Sequence, residues 1–152
     1  MQREIRFRAW LFGSQRMTNM GMPTNAVTPG RLVDVGQMEF FEDGNISIND
    51  GLLQLAGGKK QFELMQYTGL KDGSDPPKEI YEGDIIKQKY PNIYLDKESE
   101  IIFEVIFEEG CFRGESLTSG EVFHWVEWPI LYFKGCEIIG NIYENPGLTG
   151  VE

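Results

Sequence analysis

The sequence predicts a mainly β fold built from antiparallel strands, and three observations support this prediction. Short apolar runs alternate with polar residues along most of the chain, as in strands that bury one face. Turn sequences such as Asp43-Gly44 and Asp50-Gly51 separate several of these runs, and they tolerate the positive φ of tight hairpin turns. No segment combines three helical turns with clear capping residues.

Residues 1–67 are predicted to form an N-terminal β-rich lobe. The opening "EIRFRAW" alternates with a period of two, which places Ile5, Phe7 and Ala9 on one face of a strand. Residues 11–30 are rich in Gly, Ser, Met, Asn, Thr and Pro without periodicity, so they predict a long loop or flexible arm. The runs that follow predict small antiparallel strands: "RLVDV", "QMEFF", "NISI", "GLLQL" and "QFELMQY".

Residues 68–146 are predicted to form a second domain, followed by a fraying tail at 147–152. Residues 68–83 have few periodic apolar positions and predict a structured loop between the two parts. "DIIKQKY" then predicts a strand and "PNIYLDKES" a connection. The density of alternating runs and turns over 79–146 predicts a small antiparallel barrel.

The segment "EIIFEVIFEEG" predicts the central strand of this second domain. Phe103 and Val105 share one face with other apolar residues, while Ile102 and Ile106 make the opposite face apolar too. This pattern is typical of a strand buried on most of both faces. Near the end of the domain, Gly140 predicts a kink or bulge, as does Gly135.

Composition places the chain among ordinary globular proteins of the cytoplasm. Of its 152 residues, 41% are hydrophobic and 25% charged. No apolar run reaches the ~18 residues that a membrane span needs, and the N-terminus has no apolar core of a secretory signal. Two cysteines, Cys111 and Cys136, fit a reducing compartment in which a structural disulfide is not expected.

The net charge of −10 is distributed unevenly. Residues 1–60 hold 7 Lys/Arg and 6 Asp/Glu, whereas residues 61–152 hold 7 Lys/Arg and 18 Asp/Glu, which gives +1 and −11. Because duplex binding rests on basic contacts to phosphates, we expect no direct binding of nucleic acid. The acidic half fits a basic protein partner or serves solubility.

The segment Glu82-Gly83-Asp84 allows a catalytic or metal-binding interpretation and a structural one. On an extended chain both carboxylates lie on one face, so they can converge. However, no His or further carboxylate stands at ligand spacing nearby, and Asp before an apolar strand commonly binds backbone in a turn. The sequence therefore favours a turn that leads into a strand.

The soft metal ligands are Cys111, His124 and Cys136, and they do not have the spacing of a metal site. A zinc site uses four ligands, usually with one close Cys pair, and the chain has no such pair. A Cys–His nucleophile pair has no support either. We therefore expect no catalytic residue, no metal and no cofactor.

An aromatic cluster is the feature that fits least well with a purely structural role. It contains Trp125, Trp128 and Tyr132, together with Phe123 and Phe133. Small β domains fill their cores with aromatic side chains, which is the default explanation. An exposed patch of Trp and Tyr for a protein partner is the alternative, and the sequence leaves both open.

Four ordered segments resemble one family of proteins. They are "REIRFRAW", "LMQYTGLKD" with "KEIYEGDII", "VIFEEGCFR" and "EIIGNIYENP", and they resemble the YopX family of phages and prophages of Gram-positive bacteria. The resemblance implies a C-terminal SH3-like barrel and self-assembly into an oligomer. It implies no catalytic residues, and it makes the segment from Tyr81 to Asp84 the entry into the first barrel strand.

These observations predict a non-catalytic accessory protein of phage origin, acting in the bacterial cytoplasm by protein interaction or assembly. Its expected partners are further copies of the chain and a host or phage protein. A competing hypothesis is an acidic decoy that mimics nucleic acid and occupies a host DNA-binding protein, because residues 61–152 carry −11. An enzyme is the third hypothesis, and it would need a deep pocket with converging polar groups.

Overall fold

The computed structural model confirms a mainly β protein of antiparallel sheets. It describes residues 4–13, 15–17, 23–27, 29–49, 52–54, 61–92, 97–123 and 135–149. Within these ranges there is no α-helix, and one 3-10 helix lies at Pro146–Leu148. None of the described helical structure is long and apolar enough to cross a membrane.

The chain divides into two compact units. The N-terminal unit is Arg6–Met65, and the C-terminal unit is Gln66–Glu152 together with Met1–Ile5. The strands of the N-terminal unit are β1 Phe7–Leu11, β2 Gln15–Met17, β3 Pro23–Val27, β4 Arg31–Val35, β5 Met38–Phe40, β6 Ile46–Ile48 and β7 Leu52–Gln54. Strand β8, Phe62–Lys71, begins in the N-terminal unit and ends in the C-terminal unit.

The N-terminal unit folds around the alternation of β1. Strand β1 lies between β4 and β8 in a sheet that curls into a half-barrel, and it pairs with β4 from Phe7↔Val35 to Leu11↔Arg31. Ala9 and Leu11 are buried with Ile48 and Phe62, as the period of two predicts for this face. Ile5 precedes the strand and is exposed.

The prediction that residues 11–30 form a long loop was wrong in part. Strands β2 and β3 pair antiparallel within this segment, with Gln15 opposite Val27 and Met17 opposite Pro23. Alternation appears in a sequence only when a strand buries one face, whereas backbone pairing needs no apolar residue. A polar hairpin of this kind therefore leaves no periodic signal.

The C-terminal unit contains a five-stranded antiparallel sheet. Its strands are β9 Glu79–Tyr81, which pairs with β8, and β10 Asp84–Asn92, β11 Lys97–Glu108, β12 Cys111–Ser116, β13 Val122–Phe123 and β14 Cys136–Asn141. The order in the sheet is β13-β12-β11-β10-β14, so β11 is central, as predicted. Phe103 and Val105 of β11 are fully buried in the core with Ile80 and Ile86.

In this unit two predicted loops are shorter than expected, and one predicted irregularity is present. The loop predicted at 68–83 is shorter, because β8 continues to Lys71 and β9 begins at Glu79. The predicted connection 91–99 is also shorter, because β10 runs to Asn92 and β11 starts at Lys97. Both strands extend by backbone pairing beyond their apolar stretches. The predicted irregularity at Gly140 is present, since the β10–β14 register shifts between Gly140 and Ile138.

Candidate interaction surface

The segment Glu82-Gly83-Asp84 forms a turn whose polar groups bind the backbone. The Tyr81 N–H donates to Asp84 Oδ2 over 2.8 Å, and Asp84 is buried. Gly83 has φ 79°, where a side chain would strain the backbone. Its N–H donates to the Val105 carbonyl and its own carbonyl accepts from Ile142 N–H. The geometry agrees with the structural interpretation of this segment.

A second buried carboxylate, that of Asp72, joins the loop 72–78 to strand β14. Asp72 Oδ1 accepts hydrogen bonds from Ser74 N–H, Ser74 Oγ and Lys78 N–H at 3.2, 2.6 and 2.8 Å, while Oδ2 accepts from Ile138 N–H at 3.2 Å. Burial opposes ionisation of this group, but the four hydrogen bonds outweigh burial and lower its pKa. The ionised Asp72 thus holds the loop in place.

The two thiols lie in different environments. Cys136 is buried, and burial together with the charge of Asp72 raises the pKa of its thiol to about 12. Cys111 is partly exposed, and both thiols are free. In the part of the chain that the structure describes, no three His, Cys, Asp or Glu side chains are grouped so as to hold a metal ion. Because its thiol pKa is about 12, Cys136 remains protonated at neutral pH and is a poor nucleophile.

The five-stranded sheet presents an acidic face, which we define as Glu104, Ile106, Arg113, Glu115 and Val122. The register places Glu104 opposite Glu115, Ile106 opposite Arg113, and Glu115 opposite Val122. Residues directly opposite one another in an antiparallel ladder point to the same side of the sheet. This side alternates with the one that carries the buried core of β11.

Carboxylates on this side of the sheet differ in whether a cation compensates them. Arg113 forms ion pairs with Glu108 and Glu109. Glu104 and Glu115, by contrast, face each other without an ion pair among the described residues. The pKa of Glu104 is raised, mainly because the carboxylate is partly buried and also because Glu115 and Glu82 carry like charges. This part of the acidic face concentrates negative charge that no ion pair among the described residues neutralises.

One exposed apolar side chain, that of Val122, accompanies the charge on the acidic face. Val122 is exposed beside Glu115, whereas the exposed Phe107 follows Val105 by two residues and lies on the opposite side of β11. Phe107 packs edge-on against Phe112, with ring centroids 5.0 Å apart and an angle of 63°. Apolar groups bordered by charged ones are typical of protein-binding surfaces.

Comparison with known proteins places the chain in a family. The model of the family described as "YopX protein" matches residues 6–149, which is nearly the whole chain. The chain belongs to the YopX family. Protein EF1440 from Enterococcus faecalis, known from a crystal structure, is similar in fold, with a TM-score of 0.51 and 25% identity over 97% of this chain and 99% of that one. No curated protein matches this YopX chain.

The aromatic residues predicted as a possible interaction surface lie outside the described residues. They are Trp125, Trp128 and Tyr132, and the prediction that they serve as core or interface remains open. The acidic face of this YopX chain was not predicted as a site. One signal for it was present, because Glu100, Glu104 and Glu108 recur every four residues and so share a side of β11. The opposing Glu115 could not be found without the strand register.

Proposed function

We propose that this YopX-family chain is a non-catalytic module for protein interaction and assembly. One observation carries the proposal. Asp72 and Asp84, two buried carboxylates that could serve acid–base chemistry, bind backbone N–H groups instead, and the Cys136 thiol is held protonated. The acidic face combines carboxylates with the exposed Val122, which suits binding rather than catalysis.

We also propose an architecture for the C-terminal unit and a cellular location for the chain. The C-terminal unit is an SH3-like barrel, and its central strand β11, flanked by β10 and β12, supports this description. The bulge of β14 beside Gly140 also supports it, because bulges bend strands at barrel corners. The resemblance of the sequence motifs to phage proteins supports a role as an accessory protein in the cytoplasm of a bacterial host.

The proposed partners are further copies of the chain and a basic surface of a host or phage protein. The excess of 18 Asp/Glu over 7 Lys/Arg in residues 61–152 supports a basic partner. The crowding of Glu104, Glu115 and Glu82 favours a second candidate function, a decoy that occupies a DNA-binding protein of the host. In that case one partner surface would bind either this chain or duplex DNA.

Co-expression of two differently tagged copies tests the assembly function. Purification through the first tag is expected to retain the second tag in a stable ratio. Absence of the second tag at all salt concentrations would contradict assembly. The decoy function predicts that a captured host protein is released by added duplex DNA, whereas an ordinary partner would stay bound.

A further inference from the structure

Strand β14 comes last in the order of the five-stranded sheet, so one of its edges faces away from β10. An edge strand presents backbone N–H and C=O groups that can pair with other chains. On β14, two of these groups have partners in the loop 72–78. The Cys136 carbonyl accepts a hydrogen bond from Gly73 N–H over 2.7 Å, and Ile138 N–H donates to Asp72 Oδ2 over 3.2 Å. The loop thus supplies one donor and one acceptor, as a neighbouring strand would.

The Asp72 carboxylate organises the loop internally. Its Oδ1 accepts from Ser74 N–H, Ser74 Oγ and Lys78 N–H, and Asp72 N–H donates to the Lys78 carbonyl over 2.8 Å. These four bonds lie within the loop, whereas the bonds from Gly73 and to Asp72 Oδ2 join it to β14. The loop can therefore move as one body when its bonds to β14 break.

Little apolar surface holds the loop 72–78 against the sheet. Asp72 is its one buried residue, and the other six residues are half-buried or exposed. Both ends of the loop are fixed where β8 and β9 pair, with Lys71 opposite Glu79. Segments with few buried apolar contacts open at a lower free energy than the strands of a core. Opening of this loop therefore costs less than unfolding of the sheet.

The charge of Asp72 strengthens the contact with β14. Hydrogen bonds to an ionised acceptor are roughly twice as strong as those between neutral groups. The titratable group that faces Asp72 from β14 is the Cys136 thiol, which stays neutral because burial and the Asp72 charge raise its pKa to about 12. The charged neighbours along the chain are exposed, and they are Lys71, Asp75, Lys78 and Glu137.

We propose that the loop 72–78 is a latch on the edge of β14, closed by the ionised carboxylate of Asp72, and that it opens while the five-stranded sheet stays folded. Opening exposes the Ile138 N–H and the Cys136 carbonyl, and exposed groups of this kind are a template for pairing with other strands. The closed latch shields this edge from other chains. The inference does not rest on the proposed assembly function, because it concerns hydrogen bonds within one copy.

Amide hydrogen exchange of the parent chain tests the latch without any substitution. After correction for intrinsic chemical rates, the Ile138 and Gly73 amides are expected to exchange at least tenfold faster than the Phe103 amide of the central strand. Their exchange should not respond to low concentrations of urea, because local opening exposes little surface. Equal rates and equal urea dependence for all three amides would mean that the edge opens only when the unit unfolds, and would overturn the latch.

Asp72→Asn tests which group closes the latch. The substitution keeps the size of the side chain but removes its charge, and it is expected to speed exchange of the Ile138 and Gly73 amides at least tenfold at neutral pH. Asp75→Asn, the same change at an exposed position of the same loop, is the matched control and should leave both rates unchanged. Equal rates in the two variants would overturn the role of the Asp72 carboxylate. Ser74→Ala, which removes the 2.6 Å bond from Ser74 Oγ, is a milder variant and should speed exchange severalfold.

Discussion

At the scale of single residues, the chain uses buried polar groups to hold its backbone. Asp72 is a charged group in a buried position, and it is stable there because four donors compensate the lost hydration. Its location could not be predicted from the sequence, because three of its donors lie within six residues and the fourth, Ile138, is remote. Asp84, the first residue of β10, binds a backbone N–H of the preceding turn, in agreement with the structural interpretation of the sequence.

Removal of the Asp72 carboxylate is expected to destabilise the chain strongly. Asp72→Ala leaves backbone donors of the loop and of Ile138 without their acceptor, and we expect a loss of about 2–4 kcal/mol in the free energy of unfolding. Urea denaturation at neutral pH measures this loss. Asp34→Ala, at an exposed position on β4, is the control and should change stability little. An Asp72→Ala variant as stable as the control would contradict the role of this carboxylate.

The same residue predicts a pH dependence with a definite sign. Because the folded pKa of Asp72 lies below the ordinary value of 3.8, its ionised form contributes stability above that value, and this contribution is lost as the pH falls through the folded pKa. The parent chain and Asp72→Ala should therefore converge in stability in acid. A gap between them that stays constant on acidification would show that ionisation of Asp72 is not responsible.

The two thiols are expected to differ in reactivity. Cys136 is buried with a thiol pKa of about 12, whereas Cys111 is partly exposed. A disulfide reagent at neutral pH should modify one thiol per folded chain quickly and the second only after denaturation. Rapid modification of Cys136 in the folded protein, located by peptide mapping, would be inconsistent with its burial.

At the scale of elements, the sequence predicted best the strands that bury a face. Strand β11 was predicted as central from Phe103 and Val105, and β1 from its period of two. Hairpin β2–β3 was missed because pairing of polar strands needs only backbone groups. The pairing partners of β11 could not be predicted either, since alternation reveals which side a residue faces but not which residue lies opposite.

The β11–β12 ladder predicts that removal of one negative charge stabilises the chain. Like charges directly opposite one another destabilise a ladder, so Glu104→Gln is expected to stabilise the chain by roughly 0.2–1 kcal/mol at neutral pH. The folded pKa of Glu104 is raised above 4.5, so the parent loses stability as the pH rises through the folded pKa. The advantage of the variant should therefore vanish below pH 4.5 and grow above it.

Thermal unfolding from acidic to neutral pH measures this difference. Glu100→Gln is the matched control, because Glu100 lies on the same strand but pairs with Lys87 at 3.1 Å, and its loss should be neutral or slightly destabilising. Equal effects of the two substitutions would mean that the Glu104–Glu115 contact carries no net repulsion. A destabilising charge pair retained on a half-buried side of the sheet is consistent with a binding role for the acidic face.

At the scale of the whole molecule, the family and the mainly β class were accessible from the sequence, whereas the exposed apolar surface was not. The motifs that resemble the YopX family occur along most of the chain, and the family match covers residues 6–149. The exposure of Phe40 and Phe41 depends on where the β5–β6 hairpin lies on its unit, which apolar periodicity does not encode. A run such as "QMEFF" therefore predicts a strand without predicting that its end is exposed.

The central claim is that this chain works by assembly and binding. Multi-angle light scattering of the full chain over a wide concentration range tests it most directly. We expect a mass that is a multiple of 17.4 kDa over this range. A parent chain of 17.4 kDa at every concentration and ionic strength would contradict the account.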